Sequence, residues 1–252
     1  MKSTLPAQHL LRQYLLFAFT VIFLLTMTRA GYALWQFPQL EETEAYIPLF
    51  VQGLRFDLAL VGIICLVPVV LGSLLSMINL TRPIAKFIIW LFLFGGLMLI
   101  LLLEMVTPWF IHTHGMRPDI ALLQQFSSAS SKPAEIIRGI VNEQTVPTII
   151  AVVLCIFILF AFWLRMELGR FLRYRVSVPA ALFTAIVCGI LCVVAIWSHP
   201  DLRKPAFGPG DSLISTNSTV NDLAMNSTYK TLHSVALPYL NNTFFDNTFL
   251  NK

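Results

Sequence analysis

Five stretches of the chain are apolar almost without interruption, at about 14–35, 54–78, 84–111, 146–164 and 178–197. A helix needs about 20 apolar residues to cross the hydrocarbon core of a bilayer, and each stretch is close to that length or beyond it. The pattern predicts an all-α, polytopic membrane protein with five transmembrane helices. The first stretch is too long for a cleavable signal peptide, has no A-x-A-like site after it, and carries Arg29 inside it. No period of 20–50 residues repeats along the chain.

Composition agrees. Hydrophobic residues make up 57% of the 252 positions and charged residues 12%, against about 45–50% and about 25% in soluble domains. So few charges cannot coat a water-facing surface, which excludes a soluble globular domain. The net charge of +4 does not point to nucleic acid, because the basic residues fall in short clusters between apolar runs, with no binding motif.

The position of those clusters predicts orientation. Lys2 and Arg12 precede the first span, Arg82 and Lys86 bound the link between the second and third, and Arg165, Arg170, Arg173 and Arg175 fill the link between the fourth and fifth. The opposite side carries the acidic run Glu41-Glu42-Thr43-Glu44 and only Arg117, Lys132 and Arg138 in its long loop. The N-terminus is therefore expected in the cytoplasm and the tail outside. In the long loop, Ser131, Pro133 and the apolar positions 136, 137, 140 and 141 predict a short helix on the outer membrane surface. A loop helix packed on the bundle fits that pattern equally well.

The expected division is a five-helix transmembrane domain over 1–198 and an extracytoplasmic connector over 199–252. The connector is rich in Asn, Ser and Thr, with a turn signal at Gly208-Pro209-Gly210-Asp211. Thr219 to Asp222 has the form of a capping box, Val220, Leu223, Ala224, Leu232, Val235 and Ala236 fit one helical face, and Pro238 is expected to end it. Some 55 residues with one short amphipathic helix bury little core by themselves, so the segment is expected to lead away from the bilayer. Acceptor triplets for glycosylation begin at Asn217, Asn226 and Asn241, as chance allows in an Asn-rich tail.

Charges inside spans cost several kcal/mol unless they pair or reach water. Arg29, Arg55, Asp57 and Glu104 stand out, all placed by helical rise at similar depth in the outer leaflet. One reading is a polar pocket for the head group of an outer-leaflet phospholipid, with arginines on the phosphate and carboxylates orienting them. The other is packing ion pairs, Arg29 with Glu104 and Arg55 with Asp57. Other chemistry is thin. Cys65, Cys155, Cys188 and Cys192 lie in apolar runs without a C-x-x-C, His112-Thr-His114 is a weak metal spacing, and neither G-x-S-x-G nor a P-loop occurs.

Three segments carry a family resemblance. Gly53-Leu-Arg-Phe-Asp57-Leu-Ala looks like a Gly-x-Arg-Phe-Asp stretch at the second span. Glu104 to Phe126, with Arg117 and Asp119, resembles a third-span exit. Asn217-Ser-Thr-Val-Asn-Asp-Leu-Ala-Met-Asn226-Ser-Thr-Tyr229 is similar to a connector pattern Asn-x-x-x-Asn-x-Leu-x-x-Asn-x-x-Tyr. Together they resemble the N-terminal membrane part of the lipoteichoic acid synthase family, sulfatase-like phosphoglycerol transferases of the alkaline-phosphatase superfamily, in its Gram-negative form.

The resemblance implies an inner-membrane protein serving transfer of glycerol phosphate from an anionic phospholipid such as phosphatidylglycerol. In that family the chemistry belongs to a threonine nucleophile and a manganese or magnesium ion in an extracytoplasmic catalytic domain. Such a domain is expected in cis beyond Lys252 or as a separate chain, so this chain alone is expected to be inactive and to hold no catalytic or metal residue. Arg29, Arg55, Asp57, Glu104 and Arg117 are the head-group candidates. The membrane domain of a phosphoethanolamine transferase is the nearest alternative. A non-enzymatic transporter or assembly subunit is another, although transporters usually show inverted repeats and broken helices.

Overall fold

The computed structural model describes residues 7–119, 145–165, 177–198 and 207–244. Among them the chain is helical, with no strand. The long helices are α1 (Ala7–Trp35), α3 (Tyr46–Val67), α4 (Arg82–His114), α5 (Thr145–Arg165) and α6 (Val178–Trp197), with a short α2 (Phe37–Thr43) between the first two. α1, α3, α4 and α6 are long and apolar enough to cross a membrane, and α5 is a fifth apolar helix of 21 residues. The protein is an all-α, polytopic membrane protein. The predicted surface helix at 131–141 lies outside the described residues.

The bundle is organised around α3, which packs against α1, α4 and α6. Lipid tails are as apolar as leucine, so close packing and polar contacts, and not hydrophobic exclusion, hold such helices together. Gly62 shows how close the packing is: a Cβ there would stand 2.7 Å from the Cys192 carbonyl oxygen on α6. Phe17, Leu60, Leu93 and Leu97 are wholly buried in the core shared by α1, α3 and α4.

Two prolines interrupt the ladders of α3 and α4, because proline has no N–H and its ring crowds the preceding turn. Beyond Val67, α3 passes through a π-helical turn at Pro68–Gly72 before one last turn at Ser73–Leu75. The Tyr14 hydroxyl donates to the Pro68 carbonyl there at 2.7 Å. In α4, Pro108 leaves the Glu104 carbonyl without its helical donor, and the Tyr32 hydroxyl of α1 takes that place at 3.0 Å.

α3 also begins earlier than the sequence suggested, at Tyr46 and not Leu54. Gln52, Arg55 and Asp57 therefore sit inside the helix, with Asp57 about 16 Å along the axis from its first residue. Polar residues that looked like a boundary are a polar band within a span.

The connector does not lead straight away from the helices. After a 3-10 turn at Pro209–Ser212, α7 (Ser218–Ala224) and α8 (Ser227–Phe244) lie against α1, α3 and α4. The cap of α7 is Asn217, not Thr219: its side chain accepts from the Thr219 and Val220 amides at 2.9 and 3.4 Å. The helical face predicted across 220–236 is split at Met225–Asn226 into two helices, and α8 continues through Pro238 to Phe244. Val220, Leu223 and Ala224 are wholly buried against Tyr32, Leu40, Leu49 and Ile111.

Candidate functional site: a double ion-pair clamp under the connector

Arg29 of α1 faces Asp57 of α3 in a bidentate pair, Nη1 to Oδ2 and Nη2 to Oδ1, both at 2.8 Å. Nη2 also donates to the Gly53 carbonyl at 3.2 Å. A planar fork matching both carboxylate oxygens is the geometry for which arginine, unlike lysine, is built. Gly53 makes room for it, since a Cβ there would overlap the guanidinium.

The second pair joins Glu104 of α4 to Arg117, three residues beyond the end of the same helix. Gly115, at φ +71°, caps α4 in the left-handed conformation and turns the chain back. Arg117 Nη1 then reaches both Glu104 carboxylate oxygens at 3.1 Å. Its guanidinium also lies over the Tyr32 ring, 4.9 Å from the centroid. Burial, the largest single influence, works against the arginine's charge, but Glu104, Tyr32 and Asp222 together outweigh it and raise its pKa above the ordinary value.

The connector closes over both pairs through adjacent residues. Asn226 Nδ2 donates to Asp57 Oδ1 at 3.0 Å, and the Ser227 amide donates to Glu104 Oε1 at 2.9 Å. Asn226 Oδ1 accepts from the Tyr229 amide at 2.7 Å and so caps α8. The Ser227 hydroxyl lies 2.6 Å from that of Thr107 and accepts from Arg117 Nη1 at 3.0 Å. Asp222 completes the mesh. It accepts from the Arg117 amide at 2.6 Å and from Lys230 at 2.8 Å, while its own carbonyl takes Arg117 Nε at 3.0 Å.

The result is sealed: Arg29, Asp57, Glu104 and Arg117 are 1%, 0%, 5% and 1% exposed. Unpaired, each would carry a desolvation cost of several kcal/mol; paired, they hold one arrangement, with Arg29 Nε the one nitrogen of the two guanidinium forks that is buried without a hydrogen bond among the described residues. Asn226, at 1% exposure with its amide committed to Asp57, cannot serve as a glycosylation acceptor in this fold.

The expected pairing is corrected. Arg29 takes Asp57, not Glu104; Glu104 takes Arg117; and Arg55 is in neither pair. Arg55, half-buried, donates to Gln52 Oε1 at 3.0 Å and to the Ser198 carbonyl, and lies over the Phe207 ring at 4.6 Å. Asp57 and Arg55, two apart on a helix, point in different directions. The sequence pattern gives no site role to Tyr32, Thr107, Ser227 or Lys230, and reads Asp222 only as part of a capping box. The polar run Asn226-Ser-Thr at the start of a helix was the available signal, since such residues cap helices.

Two of the three stretches that carry the family resemblance, around Phe56 and Tyr229, meet here. Phe56 packs against Phe207 and Tyr229 with ring centroids at 4.4 and 5.2 Å. The Tyr229 hydroxyl donates to the Phe207 carbonyl, and burial pushes its pKa up to about 12. Asn221 Oδ1 accepts from the Ile214 and Ser215 amides at 2.9 and 2.8 Å, folding the approach to α7.

Beside the clamp, a cavity of about 460 Å³ lies between α1, α4 and α5. Phe23, Met27, Leu101, Met105 and Leu154 form much of its wall, and among the described residues Glu104 is the one charged residue lining it. The four cysteines are free thiols on helices, and His112 and His114 lie in the last turn of α4.

No family model matches the chain, and no solved structure matches it.

Proposed function

We propose that this chain is the membrane anchor and lipid-presenting domain of a lipoteichoic-acid-synthase-like phosphoglycerol transferase in a bacterial cytoplasmic membrane. Its N-terminus would lie in the cytoplasm and its connector outside. The observation that carries this reading is the meeting of the Gly53–Asp57 and Asn217–Tyr229 stretches in one buried mesh. Residues that resemble two separate family motifs form a single joint. Such a joint would hold an extracytoplasmic catalytic domain, in cis or as a separate chain, at a fixed height over the bilayer. Manganese or magnesium chemistry would belong to that domain.

In this proposal Arg29, Asp57, Glu104 and Arg117 serve the lipid indirectly, by building the floor on which the connector rests. The cavity beside Glu104 supports lipid presentation more directly. Its volume falls in the range of ligand sites, about 300–1,000 Å³, and its apolar wall suits an acyl chain. A phospholipid seated there would bring its head group toward the connector.

The test uses the tagged native protein isolated from its source membranes with whatever accompanies it. Incubation with phosphatidylglycerol and manganese is expected to release glycerol phosphate, and chelation is expected to stop it. No release from phosphatidylglycerol, or release of phosphoethanolamine from phosphatidylethanolamine instead, would overturn the proposal.

A further inference from the structure

We infer a second lipid site, specific for an anionic phospholipid, at the end of the bundle away from the connector. Its physical basis is a cavity of about 410 Å³ lined by Leu11, Arg12, Leu15, Leu16 and Phe19 of α1 and by Arg165, the last residue of α5. Arg12 lies 17 residues before Arg29 on the same helix, about 25 Å along its axis, so this cavity is separate from the clamp.

Six arginines fall among the described residues. Arg29, Arg55, Arg82 and Arg117 each donate hydrogen bonds within the protein. Arg12 and Arg165 have no hydrogen-bond or ion-pair partner among the described residues, and both are exposed at the mouth of one cavity. Among the described residues, no acidic side chain lines it. Two unspent guanidiniums over an aliphatic and aromatic wall match a phosphate diester above an acyl chain. Arginine forks bind phosphate oxygens bidentately, and basic pockets between transmembrane helices are a recurring seat for acidic head groups.

The two arginines, with no carboxylate beside them among the described lining residues, favour one kind of head group. A zwitterionic lipid would place its cation beside two arginines with no carboxylate among the described lining residues to receive it, whereas an anionic lipid would bring no such cation. The site also has a structural role. α5 packs on α4, while its contact with α1 includes the edge-on pair Phe17–Phe162 at 6.1 Å. A lipid bound at Arg12 and Arg165 ties α1 to α5 where protein contacts are sparse.

The experiment reconstitutes the full chain in nanodiscs of phosphatidylcholine containing one-tenth phosphatidylglycerol or cardiolipin and measures retained lipid by native mass spectrometry. Wild type is expected to retain anionic lipid in preference to phosphatidylcholine. Arg12→Ala/Arg165→Ala is expected to lose roughly thirtyfold in that preference, at about one kcal/mol per basic residue. Leu15→Trp, which fills the apolar wall and keeps both charges, is expected to lose it as well. Neither change removes a bond to a described residue, so the helical circular dichroism should stay unchanged. Equal retention of phosphatidylcholine by wild type, or undiminished preference in either variant, would overturn the inference. This readout needs no transferase activity, so it stands or falls apart from the proposed function.

Discussion

Asn226 reaches across 169 positions of sequence to donate to Asp57 Oδ1 at 3.0 Å, while its own oxygen caps the helix it begins. One side chain thus joins the start of α8 to the Arg29–Asp57 pair in the membrane helices. Beside it, the Ser227 amide does the same for Glu104 and Arg117. The connector is fastened to charges that would be costly to bury without it.

Asn226→Ala removes a bond to a buried carboxylate, worth about 1.5–3 kcal/mol, and a helix cap worth about 1 kcal/mol. Amide exchange across 218–235 is expected to speed up by tenfold or more, with the core of α3 and α4 unchanged. Asn226→Asp, similar in shape but anionic, sets a second carboxylate against Asp57 and is expected to do at least as much damage. Unchanged exchange in both variants would show that the bond does not hold the connector.

Breaking one partner of a buried pair costs more than replacing both. Glu104→Gln leaves the Arg117 charge without its counter-ion and is expected to lower stability by about 3–5 kcal/mol. Glu104→Gln/Arg117→Met should recover part of that loss. Thermal unfolding in detergent, compared across the two variants, checks the order.

The Tyr32 hydroxyl and Pro108 form a compensating pair, because Tyr32 supplies the donor that Pro108 denies to the Glu104 carbonyl. Tyr32→Phe leaves that carbonyl orphaned, at about 1–3 kcal/mol. Pro108→Ala restores a helical N–H at the right position. The double variant is therefore expected to be more stable than Tyr32→Phe alone, and strict additivity in the double-mutant cycle would contradict the pairing.

Burial lowers the pKa of His233, which stacks on Tyr229 at 5.9 Å. A base whose folded pKa is depressed binds fewer protons folded than unfolded, so stability falls as pH drops through its ordinary value of about 6.5 and levels off below the folded pKa. Limited proteolysis of the connector should accelerate between about pH 7 and pH 5. His233→Gln should flatten that part of the profile.

Much of the fold was legible because the bilayer enforces a coarse rule: about twenty apolar residues in a row. Arg29, Asp57 and Glu104 were legible as a group because charge in such runs is rare. The partner of each was not. Reading α3 from Leu54 instead of Tyr46 set Asp57 at a helix end, which left Arg55 as its natural neighbour. Arg117 looked like a loop residue until Gly115 turned it back on Glu104. Asn226 and Ser227 were visible as polar residues beside an apolar pattern, but nothing local says that their partners lie on α3 and α4. Such choices depend on packing between distant segments, which period and composition do not encode.

The connector is locked on the bundle at Ser227. The hydroxyls of Thr107 and Ser227 stand 2.6 Å apart, close enough for cysteines at these positions to form a disulfide with little adjustment. The measurement is the oxidation of Thr107→Cys/Ser227→Cys in native membranes, with the four natural cysteines replaced by alanine. Thr20→Cys/Ser227→Cys serves as the control. Rapid, near-complete cross-linking of the first pair, with none in the control, is the predicted result. Slow cross-linking, or equal yields in both pairs, would mean that the connector does not rest on this clamp.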